Sequence, residues 1–148
     1  MKLYGRLLVW IMSAAIGGLF IYAGWIKSFG PQAFADSIAS FKILPSELIV
    51  PTALSIPPFE ILAGLLALIG WQRRAGLLAI TLATAIYCSA IGSALVRGLD
   101  VNCGCFGPVS NLGPGTELVR DLFLLASCVI AYVLAVRIQN SSGPLPNP

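Results

Sequence analysis

Twenty consecutive residues, Leu7 to Ile26, carry no charged side chain. At 1.5 Å per residue a helix of that length covers about 30 Å, the thickness of a bilayer's hydrocarbon core. Three more stretches of similar character follow: Leu48 to Gly70, Ala75 to Val96, and a segment starting at Thr116-Glu117 and running to Val136. Only 10% of the 148 residues are charged and 57% are hydrophobic, whereas soluble domains carry about 25% charged residues. The mean hydropathy is +0.89. These features predict an all-α integral membrane protein, a four-helix transmembrane bundle with spans near 7–26, 48–70, 75–96 and 117–136. Lys2 and Arg6 ahead of the first span also suit a signal peptide. Its apolar run exceeds the usual signal core and no clear Ala-x-Ala site follows, so it reads as a transmembrane helix. Residues 1–138 form one domain in this reading, and the polar, proline-rich stretch 139–148 is expected to be a disordered tail.

Several function classes fall away. The net charge of +3 is small and dispersed, with no basic run interleaved with aromatics, so nucleic acid is not expected as a partner. Histidine is absent, which removes the commonest general base and metal ligand. Two of the four cysteines, Cys88 and Cys128, lie inside apolar runs far in sequence from the other two. No metal site is expected.

Along the chain, Ala14, Ala15, Gly17 and Gly18 give the first span small residues that a neighbouring helix can approach closely. Tyr22 to Lys27 ends that span with aromatics and a lysine, a pattern that places Lys27 at headgroup depth. After Gly30-Pro31, Phe34, Ile38 and Phe41 recur at helical spacing, which predicts a short amphipathic helix on the membrane surface, closed by Pro45. In the second span Pro57 and Pro58 remove two amide donors and predict a kink, and Glu60 follows at once. An ionisable group at that depth is costly and faces the bundle interior, protonated or paired. It serves proton or ligand handling, or it bonds to backbone carbonyls that the prolines leave free. The helical rise sets Cys88 roughly 12 Å, Cys128 roughly 15 Å and Glu60 roughly 18 Å from the outer ends of their spans. Cys88 and Cys128 are then either small apolar core residues or a second thiol pair.

Between the third and fourth spans lies Val101-Asn102-Cys103-Gly104-Cys105-Phe106-Gly107-Pro108. Two cysteines two residues apart can bridge only if the backbone folds sharply, because the Cα atoms must come within about 4.4–6.8 Å. Gly104 permits the positive φ such a fold needs. A three-residue ring restricts little unfolded-state entropy and makes a poor staple. Cys103 and Cys105 therefore read as a redox-active dithiol, against the alternatives of a static bridge or two free thiols. Arg97 is close enough in sequence to help stabilise a thiolate.

With four spans, Lys2, Arg6, Arg73, Arg74 and Arg137 share one side, which carries no acid. Lys27, Lys42, Arg97 and Arg120 share the other with Asp36, Glu47, Asp100, Glu117 and Asp121. Taking the acid-free side as cytoplasmic puts both termini in the cytoplasm and the cysteine loop on the oxidising face of a bacterial inner membrane, where disulfides persist.

The chain resembles the MauE-type membrane proteins (methylamine utilisation protein MauE), a branch of the DoxX-like group of four-helix membrane proteins. The resemblance rests on Tyr22-Ala23-Gly24 with Lys27, on Leu44-Pro45 and on Pro57-Pro58-Phe59-Glu60. It rests further on Arg97-Gly98 before Cys103-Gly104-Cys105-Phe106-Gly107, and on Arg120 early in the last span. It implies a role in making or maintaining disulfides in exported proteins. In the family this means maturation of the disulfide-rich small subunit of methylamine dehydrogenase, alongside a thioredoxin-like partner. It also implies that Cys103 and Cys105 are the redox pair, with Glu60, Lys27 and Arg120 as polar groups around them.

The function expected from residues and resemblance together is thiol–disulfide exchange with a periplasmic thioredoxin-like protein. A quinone in the bilayer is the natural electron acceptor, although no quinone motif is visible. The alternative is a non-enzymatic accessory subunit packed against a larger membrane complex. A solute carrier has only Glu60 beside a proline break in its favour, and the four spans show no internal repeat.

Overall fold

The computed structural model describes residues 2–69, 72–99, 101 and 114–140. They form five helices: α1 Lys2–Phe29, α2 Pro31–Ser40, α3 Ser46–Leu68, α4 Arg73–Val96 and α5 Pro114–Asn140. All but α2 are long and apolar enough to cross a membrane, and the chain is a multi-pass membrane protein. α3 ends at Leu68, and Ile69 is already extended, so the second span stops short of the expected Gly70. α5 starts before Thr116 and runs to Asn140, two residues into the stretch expected to be tail. The rest of that stretch, 141–148, lies outside the described residues.

α1 packs on α3 and α5, and α4 packs on the same two helices, closing a four-membered ring; α2 lies against α3. Gly5 of α1 abuts Ile138 of α5, and Arg74 Nη2 at the start of α4 donates to the Val136 carbonyl at 3.3 Å. At the opposite end Arg97, just past α4, donates to the Phe41 and Lys42 carbonyls at 3.0 and 3.4 Å, beside the end of α2. The helix directions thus gather Arg6, Arg73, Arg74 and Arg137 at one end, and bring the chain out of α4 and into α5 at the other.

The α3 sequence explains its packing. Small residues Ala53, Ala63, Gly64 and Ala67 are buried, while Leu54, Phe59, Leu62 and Leu65 face outward. In lipid no hydrophobic gain comes from turning leucine inward, so close backbone approach decides which face meets a neighbour. A Cβ on Gly64 would sit 2.6 Å from the Gly17 carbonyl, and one on Gly24 would sit 2.8 Å from the Pro57 carbonyl. Seven residues separate the partners on each helix, so one antiparallel register satisfies both contacts. Of the small residues expected to form this face on α1, Gly17 serves it, whereas Gly18 has nothing within 4 Å of its would-be Cβ. The helix also runs through Pro51, Pro57 and Pro58. The last two deprive the Ala53 and Leu54 carbonyls of their usual amide donors.

α4 stops in a Schellman motif. Gly98 takes φ +66°, its amide donates to the Leu95 carbonyl, and the Leu99 amide donates to the Ala94 carbonyl, both at 3.0 Å. These bonds satisfy the last carbonyls of the helix. Val101, two residues further on, is buried at 3% exposure.

Gly64→Val should weaken the α1–α3 seam by about 1–3 kcal/mol, the usual cost of overpacking, while Gly18→Ala should leave stability unchanged or raise it. Unfolding of the two variants in detergent checks this; equal losses would show that the seam does not rest on Gly64.

Candidate functional site

The last turn of α1 carries Lys27, whose side chain is turned into the bundle rather than presented on its surface. Lys27 is 3% exposed. Side chains on a helix tilt toward its N-terminus, so a lysine near the end of α1 reaches back into the bundle, and what it meets there holds it. Its Nζ donates to Glu60 Oε1 at 2.6 Å and Oε2 at 2.9 Å. Glu60 itself is 1% exposed. Tyr87 from α4 donates its hydroxyl to the same Oε1 at 2.6 Å. The ammonium also lies 5.0 Å from the centre of the Phe34 ring and 5.3 Å from that of Tyr87, within range of cation–π attraction. Of the two fates open to Glu60 in the sequence, pairing inside the bundle is the one observed, and Lys27 is the partner.

The fifth helix closes the site. Asp121 is 3% exposed and Glu117, one turn earlier on the same face, 1% exposed. Arg120 donates Nε and Nη2 to Asp121 Oδ1 at 3.1 and 3.0 Å. A cavity of about 20 Å³ lies between Lys27, Glu60, Thr84, Tyr87 and Asp121, with Phe20 and Leu124 among its apolar walls. That is room for about one water. All five helices contribute to the cluster, α2 through Phe34.

Tyr87, Asp121 and the inward role of Phe34 were not read from the sequence as parts of a site. Signals exist for two of them. Thr84 and Tyr87 stand three apart on a helix, hence on one face. Glu117 and Asp121 stand four apart, in a span that bears one other charge before its end. Phe34 reads equally well as part of a membrane-facing stripe, and its inward place depends on the turn at Gly30, which no spacing reveals.

The remaining candidates are distributed as follows. Cys103, Gly104 and Cys105 lie outside the described residues. Arg97 is exposed at the end from which that loop departs, bonded to the Phe41 and Lys42 carbonyls just past α2. Cys88 and Cys128 are both buried and both free thiols. Cys128 is fully buried, beside the Thr84 hydroxyl one turn from Cys88. Among the described residues no three Cys, Asp or Glu side chains gather as a metal site.

Removing one member of a buried ion pair strands the other, at about 3–5 kcal/mol, whereas replacing both with apolar groups is often neutral. Glu60→Gln should therefore destabilise the bundle by about that amount, and Lys27→Met combined with Glu60→Met should recover most of it. Tyr87→Phe, losing one hydrogen bond to a charged group, should cost about 1.5–3 kcal/mol. Detergent unfolding of the four proteins checks the set; a double variant no more stable than Glu60→Gln would contradict it.

No curated protein and no solved structure matches this chain. The family model described as "Methylamine utilisation protein MauE" matches residues 5–134. With most of the chain covered by that match and four helices able to span a membrane in place, the protein belongs to the MauE family.

Proposed function

We propose that this protein is a membrane thiol–disulfide exchange component, an accessory of methylamine utilisation or of a related maturation pathway for exported disulfide proteins. Cys103 and Cys105 are its redox pair. The observation that carries the reading is the Cys-Gly-Cys spacing itself, a ring too small to be a useful staple. Two features of the bundle support it. Gly98 ends α4 in a fixed cap, and Val101 is buried. Cys103 is two residues beyond Val101 in the sequence.

The exchange balances without further reactants. A thiolate of the pair attacks one sulfur of a partner's disulfide, and the partner's other sulfur leaves as a thiolate. The second cysteine then attacks the mixed disulfide, which frees the partner with two thiols and leaves an S–S bond between Cys103 and Cys105. The reverse sequence oxidises the partner. Turnover as a net oxidase needs an acceptor for two electrons and two protons, and a quinone dissolved in the bilayer is the acceptor proposed. The partner is a periplasmic thioredoxin-like protein, and the loop faces the outside of a bacterial inner membrane with both termini in the cytoplasm. Supporting that orientation, the bundle end bearing Arg6, Arg73, Arg74 and Arg137 has no acid.

Cys103→Ser or Cys105→Ser should abolish partner oxidation and leave the bundle intact, since the four long helices pack on one another through contacts of their own. A redox titration of the purified protein, read by mass tagging of the thiols, should give a potential above the roughly −300 mV below which structural disulfides lie. Thiols that never oxidise, or a potential as low as a structural bridge, would favour the accessory-subunit reading. Intact cells treated with an impermeant maleimide after reduction should label Cys103 and Cys105; labelling seen only in inverted vesicles would reverse the orientation.

A further inference from the structure

The ion pair accounts for Lys27 and Glu60 but not for Asp121. Glu60 is committed: two contacts from Lys27 and one from Tyr87 occupy its carboxylate. Asp121 is held differently. Both contacts from Arg120 fall on one of its oxygens, Oδ1. Arg120 itself is 31% exposed at its side chain, against 5% for Asp121. Asp121 thus stands between a cation that solvent can reach and the one-water cavity that it shares with Lys27, Glu60, Thr84 and Tyr87.

The charges around that cavity make this position consequential. Around Asp121 are Lys27 from α1, Glu60 from α3, and Thr84, Tyr87 and Cys88 from α4, with Arg120 and, one turn away, the buried Glu117 on its own helix. Among the described residues Lys27 is the single cation that lines the cavity, and it is already matched by Glu60. A charged Asp121 is therefore balanced by Arg120, from outside the cavity. If the guanidinium swings toward solvent, the cavity holds two carboxylates against one ammonium, and an unbalanced buried charge is strongly disfavoured. One proton restores neutrality.

We propose that Asp121 is a proton-exchange residue, alternating between a carboxylate paired with Arg120 and a neutral acid that faces the water-sized cavity next to the Lys27–Glu60 pair. The proton comes from a hydronium at the Arg120 side: the carboxylate takes it, one water is released, and the new O–H donates to a water in the cavity. The reverse step returns the proton when Arg120 closes again. The site's ligands are one proton and one water. Asp121 lies in the second turn of α5, about 10 Å from its start by helical rise. The exchange therefore opens at the end of the bundle where the cysteine loop joins, yet it needs no thiol.

Infrared spectroscopy of the full chain in lipid nanodiscs tests this. At neutral pH, Arg120→Gln should show a protonated-carboxyl C=O band, sensitive to D2O, that the wild-type protein lacks. Arg120→Gln combined with Asp121→Asn should lose it, and Cys103→Ser with Cys105→Ser in the Arg120→Gln background should keep it. No band in Arg120→Gln, or a band that survives Asp121→Asn and so belongs to Glu117 or Glu60, overturns the proposal. If Arg120→Gln does not fold, the wild-type protein labelled with ¹³C-aspartate supplies the reading. On acidification it should show a reversible aspartic-acid band at the high frequency of a dry environment, besides those of exposed aspartates. Bands of exposed aspartates alone would overturn it.

Discussion

The Lys27–Glu60 pair is the constraint around which the other parts of this bundle are arranged. Two opposite charges held below 4% exposure cost several kcal/mol each to bring out of water. They persist because Tyr87 supplies a further hydrogen bond to the carboxylate and the Phe34 and Tyr87 rings lie beside the ammonium. Tyr87 fixes α4 to α3 through Glu60, Phe34 brings α2 under Lys27, and Asp121 brings α5 to the cavity between them. In a bilayer, where apolar faces have little preference for one another over lipid, a cluster of this kind sets which helices meet and at what depth.

The small residues do the complementary work. Gly17, Gly24 and Gly64 let α1 and α3 approach until their backbones touch, and that approach places Lys27 within reach of Glu60. A wider seam would leave both charges stranded. The polar cluster and the glycine seam therefore depend on each other, which suits a single rigid body.

How much of this was legible in the sequence differs by feature. The four spans were, because long apolar runs with few charges admit only one class of structure. Their ends were less so: α3 gives out before Gly70, and α5 continues past Val136, since hydropathy marks depth in lipid and not where hydrogen bonding stops. Glu60 declared itself by being an acid in an apolar run. Lys27 did not, because a lysine beside aromatics at a helix end reads as an interfacial anchor, and only the backward tilt of its side chain toward a specific acid turns it inward. Asp121 stood out only as one of several charges on the side opposite the acid-free one. Cys103 and Cys105 were conspicuous, yet their chemistry is legible only from spacing and resemblance.

Taken together, family membership, the acid-free end of the bundle and the Cys-Gly-Cys spacing support a membrane component that hands a disulfide to, or takes one from, a soluble partner. The covalent intermediate of that exchange is the most direct measurement. With Cys103 or Cys105 replaced by Ser in cells, the remaining thiol cannot be relieved by its neighbour, and a mixed disulfide should accumulate. One of the two variants should carry a thioredoxin-like protein, released by reductant and lost when the second cysteine is also replaced. Folded protein from both variants, with no partner attached to either, would contradict it.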